Sequence, residues 1–295
     1  MGFTVQAAPT HALTVYGEAP RYAASFRHFD YVNPDAPKGG ILRRSAIEIG
    51  QFDHILPYID KGIGVSEVDG LLYAPLAVRS YDEPYTVYGL IARRMERGPN
   101  DEWLRFDIDP RATFADGRPV RAEDVRFTFE LLMSKGSLKY RTQFAEVTGV
   151  TVEGPHRVRF DFKQPHGRTL PLDLAGLPVL PEHDWQQRDF ANGAGFDKPV
   201  GSGPYRIAKL VPPQQAGRIA QTAGLINTGN RWCGVNFQTF ESTAAPGIHV
   251  LGDATASAPG MPKSGFMANN HAKVAADAVI ALIEGRPFNP EPVIA

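Results

Sequence analysis

The only thiol in this sequence belongs to Cys233. A disulfide within the chain and a cysteine-based metal cluster both need at least two thiols, so the sequence excludes both. Cys233 is therefore either an inert buried thiol or half of a redox pair whose second sulfur is missing. The residue itself leaves both interpretations open.

A second candidate group surrounds Asp253, which ends the apolar run Gly247–Ala254. We predict a short strand for this run and a helix over Phe266–Glu284, which Gly285 terminates. Apolar residues cover most of the circumference of that helix, so we expect it to be buried. A strand, an acidic residue and a helix N-terminus in this order predict a dinucleotide-binding position.

Histidines give no comparable signal. His28 and His54 have no partner at the spacing of metal ligands, so we interpret both as surface or capping residues and predict no metal site. Residues 1–12 contain no lysine or arginine, and they end in Thr-His-Ala before Leu13, which would suit a signal peptidase. We interpret residues 1–12 as the remnant of an export signal; the alternative is an ordinary frayed N-terminus.

Composition sets the outer limits. A chain of 295 residues, 43% hydrophobic and 21% charged, can form one large domain or two modest ones. Its formal charge of -1 provides no field that favours nucleic acid. No apolar run approaches the roughly 20 residues of a membrane-spanning helix. We therefore expect neither a nucleic-acid partner nor a membrane span.

The density of charged residues changes abruptly between Val211 and Pro212. Residues 1–211 contain 26 lysines and arginines and 27 aspartates and glutamates, whereas residues 212–295 contain five of each class. A domain boundary usually lies in an exposed polar linker, and the sequence here has no linker composition. We therefore predict that two unlike segments are joined directly at this point.

Alternating residues in the first segment predict strands that position the rest of it. Residues 103–108 alternate apolar and polar side chains, and residues 157–163 do the same after a turn that follows residues 149–152. We interpret residues 149–152 and 157–163 as the two strands of a hairpin. Between the two alternating runs, Val125, Phe129 and Leu132 recur at helical spacing and predict a helix over Arg121–Lys135. The fold class predicted is mixed α/β.

The motif at residues 115–125, Ala-Asp-Gly-Arg-Pro-Val-Arg-Ala-Glu-Asp-Val, resembles the signature of the family 5 extracellular solute-binding proteins of peptide and nickel ABC importers. Residues 199–207, with Gly-Ser-Gly-Pro-Tyr, resemble the Gly-rich turn of that family. The runs at 28–40 and 82–85 are similar to its YejA-like subgroup. One departure is Arg121, which stands where the family usually has a threonine or asparagine that caps the helix.

This resemblance implies a periplasmic protein that delivers an oligopeptide to an ABC permease, with residues 13–211 forming part of one lobe of a type II periplasmic-binding-protein fold. Phe52, Asp53 and Tyr73 would then face the ligand cleft. The alternative is that Phe52 and Tyr73 are core aromatics and that Asp53 is a solvated turn residue. The family's second lobe follows the Gly-rich turn, and its sequence is absent here, so we expect weak peptide binding.

The second segment carries a different resemblance. Its motifs Trp-Cys-Gly-Val at 232–235, Thr-Phe-Glu-Ser at 239–242 and Pro-Lys-Ser-Gly-Phe at 262–266 look like the flavoprotein subunit of flavocytochrome c sulfide dehydrogenase. The likeness runs over residues 212–292. It implies a C-terminal fragment of an FAD-binding domain, a redox role for Cys233 and a c-type cytochrome partner. The FAD contacts it implies are Gly252, Asp253, Ala254, Lys263 and Ser264.

An FAD site of this kind also needs a Gly-x-Gly-x-x-Gly turn for the pyrophosphate, and the sequence contains none. We therefore expect that the chain does not retain FAD. The favoured function is that of a truncated peptide-binding component of an ABC importer, fused to a flavoprotein fragment and not an enzyme. The alternatives are an FAD-dependent, sulfide dehydrogenase-like oxidoreductase fragment and an inactive gene-fusion remnant.

Overall fold

The computed structural model separates the chain into two compact units, Met1–Pro212 and Pro213–Ala295. The division falls one residue from the break in charge density. The structure describes residues 8–44, 52, 54–65, 68–210, 216–256, 263–289 and 291. No helix among these residues is long and apolar enough to cross a membrane.

The described residues of the first unit form two antiparallel sheets and four α-helices. Strands β1, β3 and β2 form a three-stranded sheet in that order, and β4, β5, β7 and β6 form a four-stranded one. The strands are β1 (Ala12–Thr14), β2 (Ala77–Arg79), β3 (Thr86–Gly89), β4 (Ala92–Arg97), β5 (Trp103–Ile108), β6 (Val147–Gly154) and β7 (Arg157–Phe162). The helices are α1 (Ala122–Lys135), α2 (Leu138–Gln143), α3 (Leu170–Ala175) and α4 (Glu182–Trp185).

The four-stranded sheet confirms the alternation found in the sequence. Leu104 pairs with Phe160 and Phe106 pairs with Val158, and all four side chains are buried. The predicted hairpin is β6 paired with β7, and the register shifts at both ends of β6, between Val147 and Gly149 and between Val152 and Gly154. A third register shift lies on β4, between Ala92 and Arg94.

Helix α1 begins at Ala122, one residue after the predicted start, and ends at Lys135 as predicted. Val125, Phe129 and Leu132 are buried, and the Phe129 ring packs 5.3 Å from that of Phe160. The side chain at the N-cap position is Arg121, which makes no capping hydrogen bond to the helix. Instead the Arg121 backbone N–H donates to the Asp124 carboxylate at 2.9 Å, so the third helical residue caps this end.

The second unit contains α5 (Arg218–Thr222), β8 (Ile226–Thr228), β9 (Trp232–Cys233) and α6 (Gly265–Glu284), with β8 and β9 antiparallel. Its core consists of two small clusters. One contains Ala220, Leu225 and Cys233, and the other contains Phe240 and Val274. Both units therefore combine helices and strands, and the mixed α/β class is confirmed.

The strand predicted over Gly247–Ala254 is wrong. Within this run His249 forms one isolated pairing, with Glu241, and a single 3₁₀ turn covers Gly252–Ala254. Gly252 has a φ of 64°, and a Cβ there would lie 2.9 Å from the Cβ of Ala268 on α6. The close approach of this segment to α6 requires a left-handed glycine, which ends any extended run.

Burial of α6 on all sides is also wrong. Val274, Ala275, Ala278 and Ala281 are buried, but Leu282 is 57% exposed. Alanine dominates the buried face, while larger apolar side chains of the last two turns point to solvent. The described part of this unit packs against one face of a helix about 30 Å long.

Candidate ligand-binding site

A cavity of about 360 Å³ opens in the first unit between the three-stranded sheet and helices α2 and α3. Strand β2 contributes Ala77 and Arg79, and β3 contributes Val87. The remaining lining residues are Asp69, Gly70, Tyr73, Pro75, Lys139, Tyr140, Gln143, Phe144, Leu172, Asp173, Gly176, Leu177 and Pro178. The size falls within the range of small-molecule sites, about 300–1,000 Å³.

Three polar side chains of the lining are available to a ligand. The Lys139 ammonium, the Gln143 amide and the Asp173 carboxylate form no hydrogen bond or ion pair with any residue that the structure describes. The Lys139 ammonium lies 5.7 Å from the centre of the Tyr140 ring. Lys139 and Gln143 stand on α2 and Asp173 stands on α3, so one cavity presents both signs of charge.

The other two charged residues of the lining are already engaged. The Asp69 carboxylate accepts a hydrogen bond from the Tyr58 hydroxyl at 3.1 Å. The Arg79 guanidinium donates to the Pro84 carbonyl at 3.0 Å. Both residues are exposed, and their hydrogen bonds to protein atoms leave them less available to a ligand than Lys139, Gln143 and Asp173.

Tyr73 is buried, and its hydroxyl accepts a hydrogen bond from the Trp185 indole N–H at 3.1 Å. Burial raises the pKa of Tyr73 well above its ordinary value, and burial also raises the pKa of Tyr140. Both phenols are therefore neutral at physiological pH. Neither phenol therefore adds a negative charge to the cavity.

Of the two predicted substrate residues that the structure describes, one lines the cavity. Tyr73 lines the cavity, whereas Phe52 is buried edge-on against Phe196, with ring centres 5.7 Å apart. Phe52 is not among the lining residues, which fits its alternative interpretation as a core aromatic. Asp53 lies outside the residues that the structure describes.

The two histidines considered as metal ligands make backbone contacts. A ring nitrogen of His28 lies 3.0 Å from the Phe29 carbonyl, and one of His54 lies 2.8 Å from the Lys61 carbonyl. Among the described residues no group of three histidines, cysteines or carboxylates could hold a metal ion.

Sequence reasoning missed Lys139, Gln143 and Asp173. One signal for them was available: Asp173 is the single charge in an otherwise apolar helix, Leu170–Ala175. Lys139 and Gln143 gave none, because a polar helix is usually a solvated one. Only the approach of α2 to α3 gives these residues a shared cavity.

In the second unit, Cys233 is fully buried, packed in the cluster that contains Ala220 and Leu225. Burial raises the pKa of its thiol, which keeps the neutral form at physiological pH. A thiolate is the nucleophilic form in sulfur exchange. This environment favours the inert buried thiol over the redox residue.

The five residues predicted to contact a cofactor gather where the 3₁₀ turn meets α6. The Lys263 ammonium donates to the carbonyls of Asp253, at 3.0 Å, and Thr255, at 2.5 Å, and lies 3.7 Å from the centre of the Trp232 ring. The Ser264 hydroxyl accepts from the Met267 backbone N–H at 3.2 Å, which caps α6. Lys263 and Ser264 thus already bind protein atoms.

Comparison with known proteins identifies one family. Residues 86–219 match the family model described as bacterial extracellular solute-binding proteins, family 5 Middle. A protein of Brucella melitensis that is named a putative binding protein is 35% identical over 219 residues, 71% of this chain and 35% of the relative. The peptidoglycan-binding protein YepA of Agrobacterium fabrum is 40% identical over 220 residues, 72% of this chain and 35% of the relative. A probable peptide-binding protein YejA of the same bacterium is 35% identical over 199 residues, 65% of this chain and 32% of the relative.

This chain therefore contains a family 5 solute-binding protein domain with YejA and YepA homologues, and it spans about a third of the length of these relatives. Among solved structures, the oligopeptide-binding protein AppA of Bacillus subtilis, in complex with a nonapeptide, is 22% identical. That match covers 56% of this chain and 34% of AppA, with a TM-score of 0.48. The flavoprotein resemblance of residues 212–292 stays a prediction.

Proposed function

We propose that this chain is the peptide-binding component of an ABC-type importer and that the cavity of the first unit is where it contacts its solute. The observation that carries the proposal is that one cavity of a family 5 domain holds two charges, Lys139 and Asp173, with no hydrogen-bond or ion-pair partner among the described residues. Probable peptide binding in one relative and peptidoglycan binding in another support a peptide-like solute.

The chemistry of the lining suits a peptide with free ends. Asp173 can accept hydrogen bonds from an α-ammonium group, and Lys139 can donate to a carboxylate. The Gln143 amide both donates and accepts, so it can pair with a peptide bond. The half-buried ring of Tyr140 offers apolar area for side chains.

Calorimetric titration with tri-alanine tests this proposal. Because Lys139 is exposed and Asp173 is half-buried, each charged contact contributes only about 0.2–1 kcal/mol, and we expect a dissociation constant weaker than micromolar. N-acetylated tri-alanine should bind less tightly, and Asp173→Asn should remove that difference. Tri-alanine amide, which lacks the C-terminal carboxylate, should likewise bind less tightly than tri-alanine. Lys139→Met should remove that difference.

Lys135→Met is the matched control, because Lys135 is an exposed lysine on α1 outside the cavity lining. It should leave the affinity unchanged. Tri-alanine that produces no binding signal at millimolar concentration would contradict the proposed function. Equal binding by the wild-type protein and both cavity variants would contradict the proposed site.

We further propose periplasmic location and an ABC permease as the partner, as the family resemblance implies. An extracellular family description supports the location. Fractionation of cells that express the full-length gene product tests it. Recovery of the protein in the cytosolic fraction would contradict it.

For the second unit we propose a flavoprotein-derived fragment that contacts FAD without retaining it, and no enzymatic activity of its own. The gathering of Asp253, Lys263 and Ser264 at the start of α6 supports the origin. A helix dipole and one charge-assisted hydrogen bond contribute about 1–3 kcal/mol, whereas micromolar affinity needs about 8 kcal/mol. The residues therefore do not fit a complete FAD site.

Visible absorbance after incubation with FAD and desalting tests this second proposal. We expect no retained flavin. Stoichiometric flavin that Asp253→Ala abolishes would contradict it and favour the oxidoreductase alternative, in which a c-type cytochrome would be the partner. Genomic sequencing across the codons for residues 211 and 212 tests the third alternative, an inactive fusion remnant.

A further inference from the structure

Two chain segments form neighbouring walls of the cavity in the first unit. One carries Tyr73 and Pro75, and the other carries Leu177 and Pro178. Two backbone hydrogen bonds join the walls: the Leu76 N–H donates to the Leu177 carbonyl at 3.1 Å, and the Val179 N–H donates to the Ala74 carbonyl at 3.0 Å. The distance between the two walls therefore depends on these two backbone hydrogen bonds, which form a short ladder.

Ser202 adds a link between the same walls. Its hydroxyl accepts a hydrogen bond from the Ala74 N–H at 3.0 Å and donates one to the Val179 carbonyl at 2.7 Å. One side-chain oxygen thus satisfies a donor of the first wall and an acceptor of the second. Ser202 itself is not among the lining residues.

The turn that carries Ser202 is held against the first wall. The Gly203 N–H donates to the Leu72 carbonyl at 2.8 Å, and the Tyr205 N–H donates to the Leu71 carbonyl at 3.0 Å. A Cβ at position 201 or 203 would come within 2.4 Å of one of these two carbonyl oxygens, so only glycine permits this approach. The two glycines therefore fix where the hydroxyl lies.

We propose that Ser202 is a positioning residue that sets the spacing of the two cavity walls and thereby the position of Tyr73. It acts through the backbone of Ala74 and Val179 without touching the solute. The structural part of this inference stands without a ligand, and only its effect on affinity rests on the proposed peptide-binding function.

A matched residue separates this role from a general contribution to stability. The Thr128 hydroxyl also accepts a backbone N–H, that of Leu180 at 2.9 Å, and donates to a carbonyl, that of Asp124 at 2.7 Å. It is buried, but it joins α1 to the chain after the second wall and does not bridge the two walls. Thr128→Ala therefore removes an equivalent hydrogen-bonding hydroxyl at a different place.

Amide hydrogen exchange at Leu76 is the direct test, because its N–H belongs to the ladder but not to Ser202. Ser202→Ala should raise the exchange rate of Leu76 about three- to tenfold, the range expected when one hydrogen bond is lost. Thr128→Ala should leave Leu76 unchanged while raising exchange at Leu180. Ser202→Thr, which keeps the hydroxyl, should restore the wild-type rate at Leu76.

Unchanged exchange at Leu76 in Ser202→Ala would overturn the proposal, as would an equal rise in Thr128→Ala. If Ser202→Ala does not fold, Ser202→Cys provides the same comparison, because a thiol of similar shape is a weaker hydrogen-bonding group. Exchange at Leu76 in Ser202→Cys must then rise as well, and a wild-type rate would overturn the proposal.

Tri-alanine titration extends the test to binding. Ser202→Ala should weaken binding about threefold or more, and Thr128→Ala should not change it. If the wild-type chain does not bind tri-alanine, the proposed function fails while the exchange experiment still decides the role of Ser202. Tighter or equal binding by Ser202→Ala would overturn the part of the inference that concerns affinity.

Discussion

The two units bury their apolar side chains in different ways. Among the described residues, the first has one large continuous core, which includes Phe106, Phe160 and Trp185, and a separate small cluster around Tyr22. The second has two small clusters, with Val250 packed against both. Large rings fixed by other rings leave little room to relax, whereas small clusters can contract after a deletion. We therefore expect equal substitutions to have unequal effects in the two units.

Removal of a buried ring gives the largest effect. Phe160 contacts the rings of Phe106 and Phe129, and Phe160→Ala should lower the free energy of unfolding of the first unit by about 3–5 kcal/mol. Phe240 is equally buried, and its ring packs 4.3 Å from that of His271. Phe240→Ala should cost about 3 kcal/mol at most, because its cluster is small, with Val235, Val274 and Ala275 as the other buried members.

Calorimetry that follows the unfolding of each unit checks both values. A loss for Phe240→Ala as large as that for Phe160→Ala would contradict the contrast between a continuous core and small clusters.

Acidification should destabilise the second unit through His271. The Gly252 N–H donates to Nδ1 of His271 at 3.1 Å, which requires an unprotonated Nδ1. Burial, followed by the charge of Lys263, lowers the pKa of His271 below its ordinary value of 6.5, and Asp253 acts in the opposite direction. As the pH falls below about 6.5, the unfolded chain binds a proton more readily than the folded unit does, so stability decreases.

Urea unfolding of the second unit between pH 7.5 and pH 5 measures this dependence, and His271→Asn is the control because asparagine does not titrate. The wild-type protein should lose more stability over this interval than the variant. Equal slopes in the two proteins would exclude His271 as the source.

Capping of α6 should have a smaller effect. Ser264 accepts from the Met267 N–H, and Ser264→Ala should reduce the stability of the second unit by about 1 kcal/mol. Ser264→Asp keeps an acceptor at the same position and should remain close to wild type. Urea titration provides the measurement, and no difference between the alanine and aspartate variants would contradict a capping role.

The smallest expected effect is a gain at α1. Arg121 supplies no side-chain acceptor to this helix, so Arg121→Thr should stabilise the first unit by about 0.5–1 kcal/mol. Arg121→Ala, which adds no acceptor, should not. Thermal unfolding of the two variants decides the point; equal midpoints would indicate that the Asp124 carboxylate already satisfies this helix end.

Local patterns predicted the elements whose structure depends on nearby residues. The helix over Ala122–Lys135 and strand β5 follow from periodicity alone, because one face of each meets the core. The strand predicted over Gly247–Ala254 was wrong, because the structure there depends on the approach of Gly252 to Ala268, a residue distant in sequence. Periodicity does not contain that information.

The candidate site shows the same limit. Tyr73 was predicted through the family resemblance, and the structure places it in the cavity lining. Lys139 and Asp173 come from two helices separated by the β6–β7 hairpin, so only the tertiary structure brings them to one cavity. Phe52 looked equivalent to Tyr73 in sequence but packs on Phe196 elsewhere.

The irregular outer strands of the four-stranded sheet have a consequence for self-association. Strands β4 and β6 are the two edges of this sheet, and a break in register interrupts each of them. A regular edge offers an unbroken row of amide and carbonyl groups to a passing chain, whereas a bulge twists that row out of line. Both edges of this sheet are therefore poor templates for the addition of a further strand.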